Sequence, residues 1–200
     1  STAGDIGTTN DSVSFLRPVA LTGAVSIDTE SGTGATITFS STLDGVQGLT
    51  LTAGAGNIDF DGAVGGIADL GLVSVVSVGN LTADGIFEAA SISQVAGTGT
   101  TRFSGAVATS GAGGITVDGN NFDFDGAVSL ALGNLDVDAA GTVRFNGLVA
   151  TLDAANGLVT VTNGGVLTLT GTGDFNLQGA FAQDGAGGVS TAGDIGTTND

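Results

Sequence analysis

The sequence predicts an all-β fold, a right-handed parallel β-helix (β-solenoid) of about 21–24 residues per coil, with eight or nine coils per 189 residues. Three observations predict it. A seven-residue pattern, apolar-x-Phe-x-Gly-x-apolar, recurs along the whole chain. Glycine contributes 37 of 200 residues against a single proline, which suits many tight corners and excludes a collagen period. The first eleven residues, Ser1 to Asp11, return identically as Ser190 to Asp200.

The pattern is carried by Val13–Val19, Ile37–Leu43, Ile58–Val64, Leu81–Phe87, Thr101–Val107, Phe122–Val128, Val143–Val149 and Phe175–Phe181. Each alternates apolar and polar residues with period two, so each reads as a strand with one buried face. The central positions are Phe15, Phe39, Phe60, Ala83, Phe103, Phe124, Phe145 and Leu177. All but one of the intervals between them match the coil length; the last, from Phe145 to Leu177, is about half a coil too long. A ninth, degenerate coil fits in that interval or in the one that follows. The Phe positions and Leu177 form the expected core ladder. Where Ala83 replaces Phe, Phe87 supplies an aromatic four residues later; Phe181 stands in the same relation to Leu177. Such compensation keeps a stacked core filled.

A second strand follows many of the first, with apolar residues at Val25 and Ile27, Leu49 and Leu51, Ile115 and Val117, Leu135 and Val137, and Val159 and Val161. Glycine-rich corners separate them, including Ser31–Gly34, Ala53–Gly56, Ala96–Gly99 and Ser110–Gly114. Strands this short leave no room for crossover helices, so equivalent strands must stack in parallel, about 4.8 Å apart along the axis. A β-sandwich also uses short alternating strands, but it does not explain an aromatic at one place in every coil. The right hand is the default for parallel crossovers. The terminal identity divides the chain into one tandem unit, residues 1–189, and the start of the next, residues 190–200.

Composition narrows the function. The chain has no His, Cys, Met, Trp, Tyr or Lys. That removes disulfides, imidazole and thiolate metal sites, and His, Cys or Lys catalysis. A net charge of −17 makes nucleic acid and anionic membrane poor partners. No apolar run reaches the roughly 20 residues of a membrane span. Paired carboxylates offer the remaining chemistry. Asp59 with Asp61 and Asp123 with Asp125 are spaced i, i+2, and Asp84 falls one coil beyond Asp61. Hard cations favour oxygen clusters, so Ca²⁺ is the one cofactor with candidate ligands, Asp59, Asp61, Asp84, Asp123 and Asp125. The alternative is a solvated acidic surface. Asp pairs also serve in glycoside hydrolysis, but near-equivalent coils single out no cleft, and the expectation is no catalysis.

The residue before each central position should face outward and stack on its equivalent. In order these are Ser14, Thr38, Asp59, Thr82, Arg102, Asp123, Arg144 and Asn176. Arg102, Asp123 and Arg144 thus form an expected ion ladder on the surface. Arg17 stands where most motifs carry Gly and is expected to turn outward at a local bulge.

Two stretches, SIDTESGTGATITFSSTLDGVQGLTLTAGAGNIDFDGAVGG (Ser26–Gly66) and TGTTRFSGAVATSGAGGITVDG (Thr98–Gly119), resemble the tandem β-strand repeats of giant bacterial surface proteins. These are the filamentous-haemagglutinin-like and autotransporter-adhesin-like chains, and the resemblance extends over essentially the whole sequence. It implies an extended right-handed β-helix at the cell surface or outside the cell, serving as a structural fibre, sheath or stalk. The partners it implies are adjacent repeats of the same chain and neighbouring filaments. The alternative function is an adhesin whose solenoid face binds carbohydrate or a partner cell surface. No catalytic or binding residues carry over.

Overall fold

The computed structural model describes residues 1–30 and 32–197. Ser31, the first residue of one predicted corner, and Thr198–Asp200, the end of the repeated segment, lie outside the described residues. Among those described there is no helix, and every strand pairing is parallel. The chain winds as a β-solenoid whose coils present three faces.

The first face holds the phenylalanine row. It is a nine-stranded sheet built from Val13–Phe15, Ile37–Phe39, Ile58–Phe60, Leu81–Ala83, Thr100–Phe103, Asn121–Phe124, Val143–Phe145, Leu167–Leu169 and Val189–Thr191. A short face begins four residues after most central positions, at Val107–Thr109, Val128–Leu130, Val149–Thr151 and Ile195–Thr197, and Phe175–Leu177 belongs to it after a longer corner. A third, longer face carries Val25–Asp28, Leu49–Thr52, Ile115–Gly119, Leu135–Ala139 and Val159–Asn163. In two coils the corner between short and long faces is lost. Leu70–Ser77 and Phe87–Gln94 run as eight-residue strands, and Phe87–Gln94 pairs with both Val107–Thr109 and Ile115–Gly119. Neither strand contains the Gly-rich corner that splits the later coils.

The interior follows from the two-residue period. Inward positions such as Ile58, Phe60, Val143, Phe145, Val159 and Val161 are buried, while the residues between them are half-buried or exposed. Nine phenylalanines make one continuous stack. Phe15, Phe39 and Phe60 lie ring on ring at 4.9 and 5.2 Å, as do Phe103, Phe124 and Phe145 at 5.5 and 4.9 Å. Ala83 sits between Phe60 and Phe103 in the sheet. Phe87 fills the space it leaves, edge-on to both rings at 5.4 and 5.5 Å.

The predicted ladder needs one correction. The residue stacked on Phe145 is Leu169, not Leu177. Leu177 is fully buried but belongs to the short face, where its neighbour Phe175 pairs with Val149. The overlong interval therefore contains the hidden coil, Leu167–Leu169, one ordinary coil length beyond Phe145. Phe175 crosses edge-on between Phe145 and Phe181, at 5.1 and 5.4 Å. The aromatic has moved to another face while staying in the core. With Leu169 in that seat, every step along the phenylalanine face is a single coil of nearly constant length.

Candidate functional site

The outward row of the phenylalanine face runs Ser14, Thr38, Asp59, Thr82, Arg102, Asp123, Arg144, Thr168 and Ser190. Thr168 takes the place expected for Asn176, which instead pairs with Ala150 on the short face. Arg102, Asp123 and Arg144 occupy consecutive strands in register. Parallel strands lie about 4.8 Å apart, so the long Arg side chains reach beyond the residue directly opposite. Arg144 grips Asp123 with Nε and Nη2, each donating at 2.5 Å, and Nη2 also donates to Asp125 at 3.1 Å. Arg102 passes over Asp123 and pairs with Asp125 Oδ2, at 2.6 Å from Nη2 and 2.7 Å from Nε. Asn146 Nδ2 donates to the other Asp125 oxygen at 2.5 Å. The hub of the cluster is thus Asp125, in the corner just after Phe124, and the ladder expected through Asp123 is divided between two carboxylates. Sequence spacing places the backbones; only side-chain reach selects the partner.

Partial burial pushes the Asp125 carboxyl up, but hydrogen bonds from Arg102 and Asn146 and the charges of both Arg outweigh it and leave it below its ordinary value. Its contribution to stability is therefore present above about pH 3.9, the ordinary Asp value. That contribution is lost as pH falls through the lower folded-state value. Asp125→Asn should accordingly melt below the parent chain at neutral pH, by less than about 1 kcal/mol because the pairs are solvated. The difference should vanish under strong acid. Melting temperatures of both chains across that range check this, and a gap that widens on acidification would refute the assigned pairing.

The acidic residues divide into two settings. Asp123 and Asp125 are already held by Arg and Asn. Asp59 lies on the strand and Asp61 just beyond its end, with Asp84 one coil on. Partial burial raises the Asp59 carboxyl above its ordinary value, and the charges of Asp61 and Asp84 add to the rise. Among the described residues no group of three or more acidic side chains converges closely enough to hold a metal ion. Asp136 and Asp138 both face solvent from Leu135–Ala139.

Sequence reasoning missed polar links made by buried residues, one between faces and one between adjacent coils of one face. Gln94 occupies an inward position in the row of Val75 and Val117. Its Oε1 accepts from Thr101 Oγ1 at 2.8 Å, and its Nε2 donates to the Asp118 carbonyl at 3.1 Å. Asn163 accepts from Gln183 at 2.6 Å and donates to the Gly165 carbonyl at 2.6 Å. The signal was a polar residue in an apolar row, legible only once the row was known. Arg17 is exposed and takes part in no ion pair among the described residues.

These coils define the class: a parallel β-solenoid, consistent with β-helix repeat proteins. No protein-family model, curated protein or solved structure matches the chain.

Proposed function

We propose that the chain is a structural, non-catalytic unit of a secreted or cell-surface fibre, sheath or stalk of the filamentous-haemagglutinin-like or autotransporter-adhesin-like kind. The observation that carries this reading is the uninterrupted core. Rings stack from Phe15 to Phe181 through coils of nearly equal length. Such a stack is extensible: each added coil buries the same rows again, and stability grows by nearest-neighbour terms. The acidic exterior keeps a long rod soluble.

The test is electron microscopy of the purified chain, with fibre diffraction of aligned material. Thin rods of constant width with a meridional spacing of about 4.8 Å are expected. Compact particles without that spacing would overturn the reading.

A further inference from the structure

Three Asn-Gly pairs occur in the sequence: Asn146–Gly147, Asn156–Gly157 and Asn163–Gly164. Such a pair can modify itself, because the glycine nitrogen can attack the Asn side-chain carbonyl and no Cβ shields that nitrogen. The fold holds the three pairs in different ways.

Asn163 is held at every reacting group. It is buried, its Nδ2 donates to the Gly165 carbonyl and its Oδ1 accepts from Gln183, each at 2.6 Å. The N–H of Gly164 donates to the Ala139 carbonyl at 2.9 Å. Asn146 is held by the neighbouring coils. Its N–H donates to the Phe124 carbonyl at 2.8 Å, its own carbonyl accepts from Thr172 Oγ1 at 2.5 Å, and its Nδ2 donates to Asp125.

Asn156 is exposed, in the turn between Val149–Thr151 and Val159–Asn163. Its side chain is bonded only within that turn, Nδ2 donating to Asp153 at 2.8 Å. Gly157 is buried, yet its N–H donates to no acceptor among the described residues. A buried N–H left unpaired costs free energy. Opening this turn to water is therefore easier than opening a fully bonded corner.

We propose that Asn156–Gly157 is a site of spontaneous covalent modification, deamidation to Asp and isoaspartate, and that the product loosens the joint between two coils. Hydroxide takes the Gly157 amide proton, and the nitrogen attacks Asn156 Cγ. The new C–N bond closes a succinimide ring. The Cγ–Nδ2 bond breaks, and the leaving nitrogen takes a proton from water and departs as ammonia. Water then opens the ring at either carbonyl. One opening gives Asp. The other gives isoaspartate, in which the main chain runs through the former side chain and is one methylene longer. Water is the only co-reactant.

Both products place a new carboxylate beside Asp153, where the amide had donated a hydrogen bond, so attraction becomes like-charge repulsion. Isoaspartate also shifts the backbone against the next coil. A Cβ at Gly179 would lie 2.4 Å from the Asn156 carbonyl oxygen and 2.7 Å from the Gly157 carbonyl carbon, so this peptide is in close contact with that coil. Thr151 Oγ1 links the two, donating to the Gly157 carbonyl at 3.0 Å and accepting from the Gln178 N–H at 2.9 Å. Moving Gly157 breaks that link.

The test is incubation of the folded chain at mildly alkaline pH, followed by peptide mass spectrometry. The mass change of amide to carboxyl separates this reaction from isomerisation at Asp-Gly pairs, which leaves mass unchanged. Asn156 should react at least about tenfold faster than Asn146 or Asn163, since freeing a bonded group costs at least about one hydrogen bond. In denaturant the three should react at similar rates. Hydroxylamine, which cleaves succinimides, should cut the folded chain into residues 1–156 and 157–200.

Asn156→Gln closes the ring far more slowly and should show neither the mass change nor the cut. Its denaturation midpoint should hold on ageing, whereas that of the parent chain should fall. Equal rates at the three sites in the folded chain, or a slower reaction at Asn156 than at either other site, would overturn the assignment. Deamidation at Asn156 with an unchanged midpoint would overturn the loosening of the joint.

Discussion

Phe124→Ala should lower the unfolding free energy by about 3–5 kcal/mol, the cost of emptying a large aromatic site that cannot collapse. Phe124 lies between Phe103 and Phe145, with its ring parallel to both, and it is fully buried. The strand backbones above and below are tied by continuous ladders of hydrogen bonds, so they cannot close on the cavity. In a stack where each coil touches only its neighbours, the loss falls on one interface and uncouples the coils on either side. Chemical denaturation should therefore show a lower midpoint and a broader or two-step transition. A loss below about 1 kcal/mol would mean that the ring is not a structural part of the row.

Gly126→Ala should cost about 1–3 kcal/mol, toward the upper end, although it adds only a methyl group. A Cβ at Gly126 would stand 2.1 Å from the Gly105 carbonyl oxygen and 2.6 Å from the Ala106 nitrogen. Both are backbone atoms held by the ladder, and neither can yield like the end of a side chain. Gly62, Gly85, Gly105 and Gly147 meet the preceding coil in the same way, so glycine is required where these coils stack closely, although Ser41 holds the matching place after Phe39. The control is Gly171, the matching corner two residues after Leu169, where nothing lies within 4 Å of an added Cβ. Gly171→Ala should be neutral or stabilising by up to about 1 kcal/mol, through the reduced freedom of the unfolded chain. Thermal melts of the two variants test the contrast, and equal effects would remove the steric explanation.

The solenoid, the inward phenylalanine positions from Phe15 to Phe145, and the filling of the Ala83 site by Phe87 follow from the amino-acid sequence by itself. Period-two alternation decides which residues point inward, and the near-constant recurrence of the motif leaves parallel stacking as the arrangement that buries them together. The surface positions of Arg102, Asp123 and Arg144 follow from the same register. Other features were decided only by the tertiary structure. Phe175–Phe181 keeps the alternation and the glycine of the motif, with Leu177 for the central Phe, yet it belongs to another face, because Leu167–Leu169 had already taken the seat above Phe145. Leu for Phe erased the aromatic signal of that coil. The ion pairing depended on the reach of guanidinium groups between two carboxylates two residues apart, a choice that spacing along the chain does not contain. The described residues of the repeated segment show the same limit: Thr2 and Ile6 pair with Leu21 and Ile27, while their equivalents Thr191 and Ile195 pair with Leu169 and Phe175, because the coils beside them supply the hydrogen bonds and the apolar surface they cover.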